Sequence, residues 1–388
     1  MTETVSVVSS PRAAQRAPAP AHLRTLSLRD FRNLASTDVA LPVEGLALVG
    51  DNGHGKTNFL EAIYYLQILR SFRGARDIDI VRFGASGFYL AAALGGVAAR
   101  DIAVGFDRQS KRKKASVDGG EPLRLADAIG AFPAVVFSPQ DVELVAGGPS
   151  ERRRFLDVML SLTSRSYLAA LQRYRAALVR RNAALRETAK AGAGSAIEVW
   201  EPALAEAGAI LWRTRRSWVR ENAASFGATS AAIGEQGRSE LRYMTPFDCD
   251  DADVERHLLE ALARRRSLDV QRGITHSGPH RDDLALMLEG RELRTFGSAG
   301  QQRTAAIALR LLESSTLRAA ADAEPVVLLD DPFAELDQRR TARILELLQV
   351  KGRGQTILAV PRASDIPADL TRLERWRIIE GQLFTEAA

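Results

Sequence analysis

The sequence predicts an α/β protein whose nucleotide-binding head is split by a long helical insertion. A glycine-rich segment at 50–57 stands between a buried apolar strand and an amphipathic helix. A second uninterrupted apolar run, at 325–329, is typical of a central parallel strand. Between them, residues from about 150 to 266 are rich in Ala, Leu and Arg and contain few strand signals. These three observations divide one head into two pieces around a helical arm.

Composition and charge narrow the function before any motif is considered. A chain of 388 residues with 46% apolar residues is long enough for two or three domains with large cores. Its formal charge of +5 and isoelectric point near 9.5 favour a polyanionic partner, with nucleic acid first and an anionic membrane surface second. The single cysteine, Cys249, excludes an internal disulfide framework and a cysteine-rich metal site, and it fits a reducing cytoplasm. No run of about 18 apolar residues occurs, so the sequence predicts no membrane span.

The N-terminal part is predicted to be a tail followed by the β-rich first portion of the head. Residues 1–21 carry alternating prolines and little apolar character, which favours a disordered tail over a transit peptide. The first portion of the head, 22–145, begins with a hairpin of strands at 26–28 and 36–41. Further short strands are predicted at 87–91, 102–106, 115–117 and 135–137. For the four basic residues 111–114, a solvated hairpin loop and a phosphate contact are both open interpretations.

The glycine-rich segment matches the phosphate-binding P-loop, G-x-x-x-x-G-K-[ST]. Its strand before and helix after are the context that the motif requires. Backbone N–H groups of such a turn close around a polyphosphate, and the helix dipole adds positive potential. Lys56 is predicted to reach the β- and γ-phosphates and the Thr57 hydroxyl to ligate Mg²⁺. The ATP-binding residues predicted here are Gly50, Asp51, Asn52, Gly53, His54, Gly55, Lys56, Thr57 and Asn58.

The second portion of the chain, 146–272, is predicted to be a helical arm. Apolar residues at spacings of three and four indicate helices over about 167–185, 202–218 and 253–266. Arginines occupy other faces of the first two helices, so the arm is expected to be arginine-rich on its outside. These arginines are Arg173, Arg175, Arg180, Arg181, Arg186, Arg213, Arg215, Arg216 and Arg220.

The third portion, 273–388, returns to strand character and completes the head. Strands are expected at 283–288, 291–293, 325–329 and 355–360, and helices at about 300–320 and 338–350. The buried run that ends in Leu329 delivers Asp330, which has the form of a Walker B carboxylate. Thr57 and Asp330 are together predicted to form the Mg²⁺ site. Asp331, the next residue, is the candidate catalytic base, and its short side chain leads us to expect slow hydrolysis.

A helix-opening segment at 298–301 matches the S-x-G-Q signature of ABC-type ATPases and precedes Asp330 by 32 residues. A helix N-terminus that carries a hydroxyl offers hydrogen-bond donors to a γ-phosphate. In that architecture the signature meets the ATP held by a second subunit. Ser298, Gly300 and Gln301 are therefore predicted to act in trans, in a dimer.

Two further positions fit slots of the same architecture. Gln140, which follows a buried strand, is a candidate Q-loop residue that reaches Mg²⁺ or the attacking water. Asp337 belongs to a candidate D-loop at 335–337. The predicted fold class is thus an α/β P-loop NTPase of ABC type, a split ATPase head with mixed sheets and an inserted helical arm.

Seven segments, in order along about residues 22–385, resemble the RecF family of bacterial DNA replication and repair proteins. They are 30–33, 50–58, 137–141, 148–157, 181–182, 275–283 and 298–303. The resemblance implies an ABC-type head related to SMC ATPases without their long coiled coil. It also implies ATP and Mg²⁺ as cofactors, an ATP-dependent homodimer, and weak DNA-stimulated ATPase activity that acts mainly as a switch.

The same resemblance implies partners and one further ATP contact. The implied partners are double-stranded DNA, junctions of single- and double-stranded DNA, RecO and RecR, with no membrane. The implied role is the loading of RecA at gaps during DNA repair, replication and the SOS response. Arg32 is implied to lie near the base or ribose of ATP.

The sequence departs from the ABC pattern at two positions. Residues 359–362 read Ala-Val-Pro-Arg where the ABC switch histidine is expected. Asp331 stands where a glutamate usually follows the Walker B aspartate, which leaves the catalytic base open.

Other interpretations follow from the same residues. The nucleotide-binding subunit of an ABC transporter would share the motifs, but the large arginine-rich insertion and the missing histidine count against it. A DNA-junction module that binds ATP and barely hydrolyses it differs only in rate. Arg152, Arg153 and Arg154 either contact DNA phosphate or lock the arm to the head through ion pairs. The segment 278–283 carries no chemistry that the sequence assigns.

Overall fold

Residues 19–20, 22–96, 100–121, 124–191, 197–332, 338–351, 354–370 and 372–385 are described by the computed structural model of the chain. The strands are β1 (Ala19–Pro20), β2 (His22–Phe31), β3 (Leu34–Ala40), β4 (Gly45–Val49), β5 (Gly87–Gly95), β6 (Asp101–Asp107), β7 (Arg112–Val117), β8 (Ala134–Phe137), β9 (Ser239–Met244), β10 (Asp283–Leu288), β11 (Arg291–Glu292), β12 (Ala323–Glu324), β13 (Val326–Asp330), β14 (Thr356–Val360), β15 (Glu374–Ile379) and β16 (Gln382–Thr385). The α-helices are α1 (Lys56–Ile68), α2 (Asp77–Ile80), α3 (Glu143–Ala146), α4 (Pro149–Thr163), α5 (Arg165–Ala191), α6 (Glu201–Ile233), α7 (Val254–Arg264), α8 (Arg266–Arg272), α9 (Leu293–Phe296), α10 (Ala299–Ala321) and α11 (Gln338–Lys351).

A six-stranded sheet of order β16-β15-β4-β14-β13-β8 forms the centre of the head. Strands β15, β4, β14, β13 and β8 run parallel, and β16 pairs antiparallel at one edge. Every residue of β4, β13 and β14 is buried, because both faces of this sheet are covered. Asp330 pairs with Ala359, which in turn pairs with Leu48, so the P-loop and the Walker B aspartate leave the sheet at the same edge. Ligands of open parallel sheets bind at this carboxyl edge.

A five-stranded antiparallel sheet of order β3-β2-β5-β6-β7 packs beside the P-loop helix. The predicted hairpin is confirmed, since β2 and β3 pair antiparallel. Buried residues alternate with more exposed ones along β6, which puts one face of the sheet on the core. Its apolar face and α1 share one core, in which Phe31 meets Tyr65 edge-on with ring centroids 5.9 Å apart.

The basic segment 111–114 matches the interpretation as a solvated loop only in part: three of its residues are exposed, and the phosphate contact stays a prediction. Three of its four residues lie on β7 rather than in a loop. Lys113 is largely buried, and its Nζ lies 2.8 Å from Asp77 Oδ2 and donates to the Leu69 carbonyl at 2.7 Å. This ammonium also lies 5.1 Å from the centre of the Tyr65 ring. Lys113 therefore fastens the antiparallel sheet to the segment that follows α1.

The arm is built on the long helices α4, α5 and α6 and on the shorter α7 and α8. Helix α6 extends to Ile233, well beyond the predicted end near 218. Strand β9 lies inside the predicted arm and was not expected from the sequence. It pairs with β10, which gives a three-stranded sheet of order β11-β10-β9 shared between the arm and the third portion of the chain. Along β9, Ser239, Leu241 and Tyr243 are more buried than the residues between them, as expected for a strand with one face on the core.

The prediction that the arm carries its arginines outside is wrong for two of them. Arg181 and Arg215 are 0% and 2% exposed. Arg181 lies 2.9 Å from Glu201 and 2.7 Å from Asp269, and Arg215 lies 2.6 Å from Asp157. Buried guanidinium groups require such paired carboxylates, which come from other helices and could not be read from helical spacing.

The first described residues of the chain pair with a distant strand. Ala19 and Pro20, which the sequence assigned to the tail, form β1 parallel to β12. The rest of the predicted tail lies outside the described residues. Among the helices in the described ranges, none combines the length and apolar character that a bilayer span requires.

Candidate nucleotide site

The P-loop turns sharply between β4 and α1. Gly55 takes φ 112° directly before the first residue of the helix, a region that side chains strongly disfavour. A Cβ there would also lie 2.7 Å from the Asn33 side-chain oxygen. Glycine at this position therefore lets the loop close and leaves the N-terminus of α1 facing the cavity.

Lys56 folds back over its own loop. Its Nζ donates to the carbonyl oxygens of Gly50 at 2.6 Å and Asp51 at 3.0 Å. Burial lowers the pKa of the Lys56 ammonium, and the nearby carboxylates of Asp330 and Asp331 act to raise it. Phosphate oxygens are stronger acceptors than these carbonyls and would draw the ammonium into the cavity.

The predicted Mg²⁺ pair meets across 273 residues of sequence. The Thr57 hydroxyl donates to Asp330 Oδ1 at 2.9 Å. Burial raises the pKa of Asp330, while the Thr57 hydrogen bond and Arg73 act to lower it. One hydroxyl and one carboxylate suit Mg²⁺, which prefers oxygen ligands and keeps several waters and phosphate oxygens. Among the described residues, no cluster of three His, Cys, Asp or Glu that could hold a metal occurs, and a Mg²⁺ site at Thr57 and Asp330 stays a prediction.

Around this pair lies a cavity of about 380 Å³. Its described lining residues are Asn52, Gly53, Gly55, Lys56, Thr57, Asn58, Arg73, Pro139, Asp330, Asp331 and Pro361. Three of the predicted P-loop residues are not among the described lining residues: Gly50, Asp51 and His54. Gly50 and Asp51 supply the carbonyls that hold Lys56, and the His54 carbonyl accepts from the Gly381 N–H at 2.9 Å.

Arg73 is the residue of this cavity that the sequence analysis missed. It lies in the loop after α1, where its Nη1 donates to Asn58 Oδ1 at 3.1 Å and lies 3.5 Å from Glu61. Its side chain is 35% exposed and brings a second positive charge beside Lys56. In the sequence, Arg70, Arg73 and Arg76 are indistinguishable, because only the loop's path decides which one faces the phosphates.

The Arg32 guanidinium forms an ion pair with the Glu61 carboxylate. It donates to both oxygens of Glu61, at 2.9 and 3.0 Å, and Glu61 is fully buried on α1. Arg32 is not among the described residues that line the cavity. Its neighbour Asn33 reaches the P-loop, where its side chain donates to the Gly53 carbonyl at 3.3 Å. The contact of Arg32 with the base or ribose of ATP stays a prediction.

Gln140 is not among the described residues that line the phosphate cavity. It is exposed in a short 3-10 turn at Pro139–Val142 and lines a neighbouring cavity of about 420 Å³. Its neighbour Pro139 lines the phosphate cavity itself. The next residue, Asp141, accepts from Arg310 of α10 at 2.7 Å. The Q-loop segment is therefore tied to the helix that carries the signature, and the role of Gln140 toward Mg²⁺ or water stays a prediction.

Asp331 stands at the edge of the cavity in a left-handed conformation with φ 45°. Its N–H donates to the Ala359 carbonyl at 2.9 Å, which fixes the backbone. Burial raises the pKa of the Asp331 carboxyl, the Asp365 carboxylate adds to this, and Lys56 opposes it. The side chain lines the same cavity as Lys56, and its role as the catalytic base stays a prediction.

The signature residues cap α10. The Ser298 side chain accepts from the Gln301 N–H at 3.3 Å, and the Gln301 side chain accepts from the Ser298 N–H at 2.9 Å. This reciprocal pair is a capping box. Ser298 is exposed, and neither it nor Gly300 nor Gln301 is among the described residues that line the cavity of the same chain. The Ser298 end of α10 is therefore exposed outside this cavity.

Two other predicted features are the candidate D-loop and the absence of the switch histidine. Asp337 of the candidate D-loop lies outside the described residues. At the missing switch histidine, Pro361 lines the phosphate cavity. Proline has no side-chain donor for a γ-phosphate, so this departure from the ABC pattern stands in the structure as well.

Arg152, Arg153 and Arg154 lock the arm to the head. Arg152 is 1% exposed and donates to both oxygens of Asp283, each at 2.8 Å. Arg153 donates to the Asp282 carbonyl at 2.8 Å, and Arg154 donates to the Ser71 carbonyl at 3.0 Å. The ion-pair interpretation is therefore matched by Arg152 alone, while Arg153 and Arg154 contact backbone carbonyls, and a contact with DNA phosphate stays a prediction.

The segment 278–283 forms the other side of this joint. His280 Nδ1 lies 2.5 Å from the Tyr174 hydroxyl, and its Nε2 lies 3.0 Å from the Thr275 carbonyl. Burial lowers the pKa of His280 to about 4 and raises the pKa of Asp282 to about 6. Burial thus favours the neutral form of each side chain, and Asp282 is buried whereas His280 is half-buried.

Three comparisons with known proteins agree with this geometry. The family model described as RecF/RecN/SMC N terminal domain matches residues 22–365. The DNA replication and repair protein RecF of Chloroflexus aggregans (strain MD-66 / DSM 9485) is 37% identical over 395 residues, covering 94% of this chain and 99% of the relative. The structure of the recombination mediator protein RecF-ATP in the RecFOR pathway is 28% identical with a TM-score of 0.88, covering 96% of this chain and 100% of that one. An SmcHead bound to the C-winged helix domain of ScpA is similar at a TM-score of 0.54 and 14% identity, which shows the fold alone.

Proposed function

Because the chain belongs to the RecF family of DNA replication and repair proteins, we propose that it is an ATP-controlled DNA-binding protein that works as a dimer. ATP and Mg²⁺ bind at the P-loop, and two copies close on each other around two nucleotides. The closed dimer binds double-stranded DNA and junctions of single- and double-stranded DNA. Slow hydrolysis of ATP then opens it, so that the nucleotide acts as a switch.

One observation supports the proposal: the residues proposed for the cis half of an ATP site line the phosphate cavity, and the signature residues proposed for the trans half do not. The cis half consists of Lys56 and the hydrogen-bonded pair Thr57 and Asp330. The trans half is the capped tip of α10 with the exposed hydroxyl of Ser298. A helix N-terminus attracts anions. The residues at this one are not among the described residues that line the phosphate cavity of the same chain.

The division of labour in hydrolysis follows from the same residues. Mg²⁺ held by Thr57 and Asp330 would neutralise charge on the β- and γ-phosphates. Lys56 and Arg73 would hold the phosphate oxygens, and Asp331 would accept a proton from the attacking water. Gln140 would approach this water or the metal only if the segment at Pro139–Val142 moves on closure.

The cellular role rests on the relatives. The RecF structure named for the RecFOR pathway supports a role in recombinational repair, in the cytoplasm, with RecO and RecR as partners that help to load RecA at gaps. The transporter interpretation is left without support by the family to which the chain belongs. The near-silent ATPase interpretation remains open, because it differs only in rate, and phosphate release with and without DNA separates the two.

Sedimentation of the chain with ATP, Mg²⁺ and junction DNA tests the proposal. The wild type should be a monomer alone and a dimer with ATP, and DNA binding should require ATP and weaken with salt. The Lys56→Met variant should neither dimerise with ATP nor bind DNA in response to ATP. A wild type that stays monomeric with saturating ATP and DNA would refute the proposal.

A second variant separates the role of Ser298 in the fold from its role in trans. Ser298→Asp keeps a strong helix N-cap, so α10 should remain intact by circular dichroism. Its carboxylate would face a γ-phosphate of the partner, and dimerisation should be lost while binding of ATP to the monomer is kept. Dimerisation equal to that of the wild type would show that this helix tip does not meet the nucleotide.

A further inference from the structure

A cleft of about 680 Å³ lies between the head and the arm. Its head wall is formed by the segment that follows α1 and by Lys113, and its arm wall by α4 and α5. It shares no described lining residue with the phosphate cavity. Its volume is in the range of sites that hold small ligands or several side chains of a partner.

The cleft is positively charged. Its described lining contains five basic residues and two acidic ones. The acids are already paired within the chain, since Asp77 lies 2.8 Å from Lys113 and Asp157 lies 3.0 Å from Arg175. The remaining basic residues are Arg70, Arg76 and Arg154.

Two of these three guanidinium groups lack a carboxylate partner among the described residues. Arg76 is paired with Asp79 at 2.8 Å. Arg70 is exposed at the end of the P-loop helix, and Arg154 donates only to the carbonyls of Ser71 and Phe72, at 3.0 and 3.3 Å. Such groups hold carboxylates or phosphates through charge-assisted hydrogen bonds.

The floor of the cleft is aliphatic. It is formed by Ile68, Ile129, Val158, Leu162, Leu168 and Leu171. No aromatic side chain occurs in the described lining, whereas proteins that hold unpaired bases stack them on aromatic rings. Aliphatic side chains of a protein partner fit this floor better than nucleic-acid bases do.

One polar group in the cleft lacks a partner. Ser161 is 9% exposed and lines the cleft, and its hydroxyl forms no hydrogen bond with any described residue. A buried hydroxyl without a hydrogen bond is costly, and most buried polar groups have a partner. The Ser161 oxygen is shielded from solvent, so a ligand in the cleft supplies this partner, for example a backbone carbonyl, when the hydroxyl turns toward it.

From these observations we infer that the head–arm cleft binds an acidic segment of another protein with aliphatic anchor residues. Its carboxylates pair with Arg70 and Arg154, its aliphatic side chains cover the floor, and a backbone group meets the Ser161 hydroxyl. Because the cleft touches both α1 and α4, its occupant contacts the head and the arm at once. This binding goes beyond the proposed ATP switch and is expected without nucleotide.

Selection from a random dodecapeptide library on the immobilised full-length chain tests the composition of the ligand. The enriched peptides should combine Asp or Glu with Leu, Ile or Val. A fluorescein-labelled peptide of the strongest family should then bind the chain in solution, as measured by fluorescence anisotropy.

Arg70→Glu should weaken that binding by about tenfold or more, as expected for reversal of a charge-assisted contact. Arg108→Glu makes the same charge change at an exposed site on the head outside the cleft and should stay within about twofold of the wild type.

A chemical readout locates the peptide. Gln172→Cys in a Cys249→Ser background places the only thiol at an exposed position of the cleft lining, and saturating peptide should slow its reaction with a small alkylating reagent at least fivefold. Peptides without acidic enrichment, binding insensitive to Arg70→Glu, or a thiol that the peptide does not protect would each overturn the inference. Displacement of the peptide and protection of the thiol by an oligothymidine would assign the cleft to single-stranded DNA instead.

Discussion

Removing the guanidinium group of Arg181 is the sharpest test of how the arm is held together. The side chain is fully buried and donates to Glu201, Asp269 and Thr275, at 2.9, 2.7 and 2.8 Å. Arg181→Met keeps most of the side-chain volume and deletes the charge. Two carboxylates then lose a partner in the interior of the arm.

The structure sets the size of the effect. Removing one partner of a buried ion pair costs about 3–5 kcal/mol, because the other charge is left uncompensated. Glu201 keeps Arg266, whose Nη2 lies 2.7 Å away, so the loss falls mainly on Asp269. Asp269 keeps contact with the His276 ring nitrogen at 2.7 Å. We therefore expect Arg181→Met to lower the free energy of unfolding by about 3 kcal/mol, near the lower end of that range.

Urea unfolding followed by tryptophan fluorescence measures this effect, because Trp200, Trp212 and Trp218 all lie in the arm. The matched control is Arg173→Met, which breaks an ion pair with Glu206 whose two side chains are 56% and 55% exposed. Exposed pairs contribute about 0.2–1 kcal/mol, so the control should remain close to the wild type. Equal stability losses for both variants would refute the reasoning from burial, as would a loss below about 1 kcal/mol for Arg181→Met.

Three further outcomes follow from the site and the joint. Asp331→Asn should lower the rate of phosphate release by about 10²-fold and leave ATP-dependent dimerisation intact, and an unchanged rate would place the base elsewhere. Arg73→Gln should weaken ATP binding about tenfold in a titration with a fluorescent ATP analogue, whereas Arg76→Gln on the same loop should not. Asp282 has its pKa raised by burial from 3.8 to about 6, so the folded protein favours its protonated form and loses stability as pH rises through that window. Asp282→Asn should therefore gain stability relative to the wild type between these pH values, and urea unfolding curves that run parallel across the window would contradict this.

The parts of the nucleotide site that the sequence predicted are those held in short, contiguous segments. The P-loop, the strand that ends in Asp330 and the helix that begins after Ser298 each combine a local backbone shape with a fixed set of ligand atoms. Thr57 and Asp330 were predicted to share a Mg²⁺ site across 273 residues, and the structure joins them by a hydrogen bond. Parallel strands of one sheet bring such segments to the same edge, here with β14 between β4 and β13.

Only the tertiary structure decided which cavities and partner groups the long charged side chains contact. Arg73 faces the phosphate cavity and Arg70 the head–arm cleft, although they stand three residues apart in one loop. Arg181 lies in the interior of a helical arm whose sequence pattern placed it outside. Helical periodicity reports the apolar face of a segment, whereas the fate of a flexible cation depends on which carboxylates and carbonyls other segments bring within its reach. Those partners come from positions far away in the chain, and only packing brings them together.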